Sequence, residues 1–328
     1  MVKKYLPCLL LLAAAPVLAK PTLTVYTYDS FAADWGPGPA IKKAFEADCD
    51  CELKFVALED GVSLLNRVRM EGKNSPADIV LGLDNNLLQA AKQTGLFAKS
   101  QVDTSKLAVP GGWQDNTFIP YDYGYFAFVY NKDKLKNPPK SLQELVSGDH
   151  PWKIIYQDPR TSTPGLGLLL WMQKVYGDKA PEAWQQLAKK TVTVTKGWSE
   201  AYGLFLKGES DLVLSYTTSP AYHLIEEKKG NYAAANFSEG HYLQTEVAAK
   251  LKASKKPELA ERFMQFMVTP AFQNIIPTGN WMYPVINTTL PGGFEQMTVP
   301  QKALQFSAEE VDKHRGDWVR AWQTAVSQ

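Results

Sequence analysis

An α/β fold of doubly wound mixed sheets flanked by helices is predicted by three observations. Short apolar runs alternate with amphipathic stretches from residue 22 to residue 94. A second set of the same kind lies within residues 126–235. The connections are short, and Gly, Ser, Thr or Asp stands where several of the helices should begin.

Taken in order, Thr22–Thr27 alternates as a first strand and is followed by a loop from Tyr28 to Pro39. A helix is expected to Asp48, a strand over Cys51–Ala57, and a helix over Val62–Glu71 with Asp60 as its N-cap. Ala77–Leu83 gives a third strand, and Asn85–Thr94 a helix that Gly95 stops. Pro120–Asn131 is a long aromatic strand, long enough to cross from one domain to another. Ser141 caps a short helix to Val146, and Ile154–Gln157 is a strand. Helices follow over Leu166–Tyr176, Pro181–Lys190 and Ala201–Leu206, with a strand at Val192–Thr195. Leu212–Leu214 is a buried strand, after which Ser219 and Pro220 read as the N-cap and first residue of a helix. The tail holds a return strand at Tyr242–Ala249, helices at Pro257–Val268 and Ala271–Ile276, a loop at Gly279–Pro284, and a final helix over Ala308–Val326.

The first 19 residues read as an export leader. Lys3 and Lys4 precede an apolar core at Leu9–Ala15, and Val17-Leu18-Ala19 is a small-residue cleavage site. The apolar length falls below the ~20 residues a membrane span needs. Without the leader the chain holds 33 basic against 34 acidic residues, so no basic surplus is present to hold nucleic acid or an anionic membrane. A hydrophobic content of 45% with 21% charged residues is that of a globular protein. Cys49 and Cys51 are spaced Cys-Asp-Cys. An extended chain would hold their Cα atoms ~7 Å apart, at the limit of a disulfide, so pairing requires a turn at Asp50. A small disulfide is the favoured state over two free thiols.

Four segments share one layout of strand, polar turn and helix start: Glu59-Asp60-Gly61, Arg160 to Gly165, Gly197 to Glu200, and Ser215 to Pro220. In an open α/β sheet ligands bind at the carboxyl ends of strands, and helix starts offer free N–H groups to an anion. One capped helix alone means little. Several around one cleft make an anion site without any lysine or arginine. Tyr28, Trp35, Trp198, Tyr216, Tyr222 and Trp281 all fall in predicted turns or loops, where flat or cationic ligands are stacked. Carboxylates at Glu59 and Asp60 favour a positive charge. The expected ligand therefore has a cationic ring at one end and an anionic group at the other. No phosphate-binding loop, nucleophile elbow or zinc-protease motif occurs.

Tyr26 to Phe31, Leu58 to Gly61, Gln157 to Gly165, Thr195 to Tyr202 and Ser215 to Tyr222 together resemble the thiamine receptors of the bacterial extracellular solute-binding protein family. The resemblance runs nearly the whole length of the chain. It implies a two-lobed periplasmic binding protein that closes on thiamine, thiamine monophosphate or thiamine diphosphate and delivers them to an inner-membrane ABC permease with its ATPase subunit. It implies ligand contacts at Asp60, Gly61, Ser162, Thr163, Trp198, Tyr216, Thr217, Thr218 and Ser219, with Tyr28, Trp35, Tyr222 and Trp281 completing an aromatic wall. Lobe 1 is expected from residues 20–125 plus about 236–285, and lobe 2 from 126–235, with 286–328 as a helical tail packing on lobe 2. A monomer without cofactor or metal, not an enzyme, is expected. Two other readings of the same fold compete. A thiaminase-like exported enzyme needs a nucleophilic cysteine in the cleft. A ferric-ion receptor needs paired tyrosines with a histidine or carboxylate.

Overall fold

The computed structural model describes residues 2, 14–16 and 18–328. The leader expected over residues 1–19 lies almost wholly outside the described residues. The first part of the chain forms β1 (Thr22–Tyr28), α1 (Asp29–Ala32), α2 (Gly38–Cys49), β2 (Glu52–Leu58), α3 (Gly61–Glu71), β3 (Ile79–Asp84), α4 (Leu88–Gln93) and β4 (Phe97–Ala98). The middle forms β5 (Ile119–Asn131), α5 (Leu142–Ser147), β6 (Ile154–Gln157), α6 (Thr163–Tyr176), α7 (Ala180–Ala188), β7 (Thr191–Thr195), α8 (Trp198–Leu206), β8 (Leu212–Tyr216), α9 (Ser219–Glu226) and β9 (Tyr232–Ala234). The tail adds β10 (His241–Leu251), α10 (Pro257–Met267), α11 (Pro270–Gln273), α12 (Ile276–Gly279), β11 (Tyr283–Pro284), β12 (Ala303–Leu304) and α13 (Ala308–Val326).

Strand order β2-β1-β3-β10-β5-β8-β6-β7 runs through the molecule as two mixed sheets that share β5. Residues 119–125 of β5 pair antiparallel with β10, and residues 126–131 pair antiparallel with β8 and β9. The aromatic strand thus passes from the first sheet into the second. β1 pairs in parallel with β2 and β3, and β6 in parallel with β7 and β8, as short β-α-β crossovers require. β10 is covered on both faces, which is why it reads as a nearly unbroken buried run from His241 to Ala249.

The helices follow from their spacing. In α2, Ile41, Phe45 and Cys49 recur every four residues and are buried. Phe45 meets Phe263 of α10 edge-on at 5.2 Å, and burying such a ring contributes roughly 1.5–3 kcal/mol. Asp50 ends α2 in the left-handed region at φ 48°. That turn brings Cys49 and Cys51 to a Cα separation of 5.1 Å, and the two are joined in a disulfide. α6 is apolar on every side because it is packed between the second sheet and other helices. α13 starts with a capping box between Ser307 and Glu310 and packs on α6 and α7 of the second lobe. It also packs on α4 and the turn Asn85–Leu87 of the first lobe, so the tail spans both. Among the described residues no helix is long and apolar enough to cross a membrane.

Candidate functional site

A cavity of about 280 Å³ opens where the carboxyl ends of β1, β2, β7 and β8 face one another. This is the position at which open α/β sheets take ligands. Of the residues singled out in the sequence, Tyr28, Trp35, Asp60, Thr163, Trp198, Tyr216, Ser219, Tyr222 and Trp281 line it. Gly61, Ser162, Thr217 and Thr218 are buried and are not part of that lining.

The aromatics form two walls. Trp198 stacks on Tyr202 with centroids 5.0 Å apart and planes 17° apart, and Trp35 stands 6.4 Å away at the mouth. Tyr202 is fixed from behind by its hydroxyl, 2.8 Å from Nε2 of the buried His223, whose Nδ1 meets Glu227. Opposite, Tyr222 meets Trp281 edge-on at 5.5 Å, and Trp281 stacks on Phe294. Trp281 has φ 57°, a left-handed conformation that costs energy in any residue with a side chain. The Thr218 hydroxyl holds it there by donating to the Trp281 carbonyl at 2.5 Å.

Three helix starts converge on Asp60. Its Oδ1 accepts from Gly61 N–H at 2.7 Å and from the Thr163 hydroxyl at 3.3 Å, and its Oδ2 accepts from Trp198 N–H at 3.1 Å. One carboxylate from the first lobe therefore takes an N–H from the starts of α3 and α8 and the Thr163 hydroxyl at the start of α6, whose own N–H is capped by Ser162. Burial pushes its pKa up to about 6, against the N–H donors that lower it. Ser63 N–H donates to the Thr161 carbonyl at 3.0 Å, and the Ser199 hydroxyl to Asp29 at 2.9 Å. The two lobes are thus latched along one edge of the cleft. The latch is close: a Cβ on Gly197 would stand 2.5 Å from the Glu59 carbonyl oxygen.

Ser219 is not the N-cap that its Ser-Pro context predicts. Thr218 occupies that position without a side-chain cap, and α9 begins at Ser219. The Ser219 hydroxyl turns back instead, accepting from Tyr216 N–H at 3.1 Å and pairing with the Ser215 hydroxyl at 2.6 Å. Ser215 in turn accepts from the Trp198 indole N–H at 2.8 Å. This chain of bonds ties Trp198 to the strand that carries Tyr216.

The floor of the cleft was not legible in the sequence. Glu246 lines it, together with Asn280 and Met282. In register, Glu246 lies between Asp84 of β3 and Asp122 of β5. Among the described residues no lysine or arginine lines the cavity. The available signal was a lone carboxylate inside each of two otherwise uncharged strand stretches, Asp122 in Pro120–Asn131 and Glu246 in Tyr242–Ala249.

Neither Cys49 nor Cys51 lines the cavity, and both are committed to the disulfide, so neither supplies the thiol that a thiaminase-like mechanism requires. Among the described residues no group of three or more His, Cys, Asp or Glu side chains is placed to hold a metal ion. The Tyr216 hydroxyl donates to Gln244 at 2.6 Å.

Residues 32–274 match the family model of the bacterial extracellular solute-binding proteins. The chain is 76% identical to the thiamine-binding periplasmic protein of Escherichia coli strain K12 over 327 residues, covering 100% of both chains. It is 49% identical to the thiamine-binding periplasmic protein of Haemophilus influenzae, covering 96% of this chain and 95% of that one. A solved structure of a periplasmic thiamin binding protein superposes with a TM-score of 0.94 at 77% identity, covering 94% of this chain and 97% of the other. These relatives are binding proteins by name. With its two lobes, its shared strand and its cleft, the chain belongs to the bacterial extracellular solute-binding protein family.

Proposed function

We propose that the protein is a periplasmic receptor that captures thiamine, thiamine monophosphate and thiamine diphosphate and hands them to an inner-membrane ABC permease with its ATPase subunit. The observation that carries this reading is the pairing of aromatic walls with a carboxyl floor and, among the described residues, no basic side chain in the lining. Such a cleft favours a flat ring system with a fixed positive charge, through stacking and cation–π attraction of about 0.5–2 kcal/mol each. Thiamine supplies a pyrimidine ring and a thiazolium cation. Relatives with full-length matches carry the same specificity in their names.

The ring system is assigned to Trp198, Tyr216 and the walls made by Tyr28, Trp35, Tyr222 and Trp281. The anionic tail of the phosphorylated forms is assigned to the starts of α6 and α9, beside Thr163 and Ser219. Ser162 caps the start of α6, and Thr217 and Thr218 form the turn into α9. Gly61 opens α3 against Thr163, and Asp60 joins the lobes. The protein acts as a monomer, without a cofactor, and inserts in no membrane.

Tryptophan fluorescence tests the reading, since Trp35, Trp198 and Trp281 line the cleft. Titration with thiamine and each phosphate should give a saturable change at stoichiometric equivalence. A neutral sugar should give none. Absence of any response to all three forms would contradict the proposal.

A further inference from the structure

Asp84, Glu246 and Asp122 stand side by side on three adjacent strands at the base of the cleft. Glu246 accepts from the Tyr28 hydroxyl at 3.2 Å through Oε1 and from the Tyr121 hydroxyl at 3.2 Å through Oε2. Asn280 donates to Asp122 Oδ2 at 2.7 Å and lies 3.5 Å from Glu246 Oε1. The other Asp122 oxygen, Oδ1, is buried without a hydrogen-bond partner among the described residues. Asp84 is held separately, by Gln244 and by Asn86 N–H. The titratable groups facing Glu246 are Tyr28 from β1, Asp84 from β3, and Tyr121 and Asp122 from β5. Tyr216 of β8 feels the same carboxylates from the far wall, and Arg315 of α13 faces Asp84.

Two buried carboxylates without a cation between them cannot both ionise at ordinary cost. A single proton between them removes the repulsion and gives Asp122 Oδ1 its missing partner. We propose that Asp122 and Glu246 share one proton in the ligand-free protein and release it to solvent when a cationic ring settles over Glu246, so that capture of the vitamin and loss of a proton are one event. This deepens the thiamine reading and rests on it. The O–H bond of the shared acid breaks, its electron pair stays on the carboxylate, and the proton passes to water. The fixed positive charge of the thiazolium balances the new negative charge. The pair then discriminates a permanent cation from a neutral ring of the same shape.

Burial raises Asp122, and burial followed by the Asp122 charge pushes Glu246 well above the usual carboxylate range. Both shifts favour a proton retained by the pair in the ligand-free protein. The bound cation favours the ionised form. Affinity for thiamine should therefore rise with pH and level only once the ligand-free pair ionises by itself.

Calorimetry of the full chain with thiamine at pH 6, in two buffers of different ionisation enthalpy, reads the released proton directly. About one proton per thiamine is expected, with Kd falling up to roughly tenfold per pH unit below the plateau. Glu246→Gln and Asp122→Asn should each abolish the buffer dependence. Release that persists unchanged in both variants would assign it to Asp60 or Asp84 and overturn the proposal. A thiamine analogue with a neutral ring keeps the test on the unaltered protein: it should bind with no proton released, and equal release would also overturn the proposal. Binding of thiamine with a buffer-independent heat would overturn this inference while leaving the receptor reading in place. No binding at any pH would remove both.

Discussion

Trp198 offers its backbone to one lobe and its ring to the other. Its N–H donates to Asp60 across the cleft, and its indole N–H donates to Ser215 within its own lobe. Tyr202 covers one ring face, so the indole is fixed before any ligand arrives. A pre-set aromatic adds affinity without the cost of ordering a side chain on binding. Replacing Trp198 by Ala should weaken thiamine and both phosphates alike, by roughly 10- to 100-fold, because the ring contact is common to all three. Calorimetry on the three ligands checks this, and a loss confined to one of them would contradict it. The sequence pointed to Trp198, Tyr216 and Asp60 because each stands at a strand tip or helix start. It misplaced the Ser219 hydroxyl because Ser-Pro fits an N-cap equally well, and only the neighbouring Ser215 decides which way the side chain turns. Asp122 and Glu246 went unread because their significance comes from facing each other across strands 124 residues apart in sequence.

Helix starts, not basic side chains, organise the lobe boundary. The starts of α3, α6 and α8 all point at Asp60, and each begins where a strand or turn ends. Their existence was legible from capping residues and turn chemistry. Their convergence was not, since it depends on how the two lobes meet. Gly197 is the element that permits the meeting. Its φ of −148° suits any residue, so its need for glycine comes from proximity alone. A Cβ there would stand 2.5 Å from the Glu59 carbonyl oxygen and 3.6 Å from the Asp60 Cβ, both of the first lobe. Gly197→Ala should therefore hold the lobes apart, lowering affinity at least ~10-fold and shrinking the thiamine-induced rise in Tm more than it lowers the Tm of the ligand-free protein, since the contact lies between the lobes and not within either. Thermal melting with and without thiamine separates these effects. An unchanged ligand-induced rise in Tm would contradict the account.

At the scale of the molecule, β5 is the strand both sheets share, and α13 packs on helices of both lobes. The expectation that the aromatic strand crosses between domains came from its length, and its two halves do pair in different sheets. The span of α13 across both lobes could not be read from its amphipathic pattern, which shows that a face is buried but not against what. The cleft lies between units that meet through β5, the latch at Asp60 and the cover of α13. The proposed function requires this cleft to take a flat cation between its aromatic walls and over its carboxyl floor. Diffraction from crystals grown with thiamine would show where the ligand lies. The ring system should pack against Trp198 and Tyr216 with the thiazolium toward Glu246. Thiamine bound outside the cleft, or with its cation turned away from Glu246 and the aromatic walls, would contradict it.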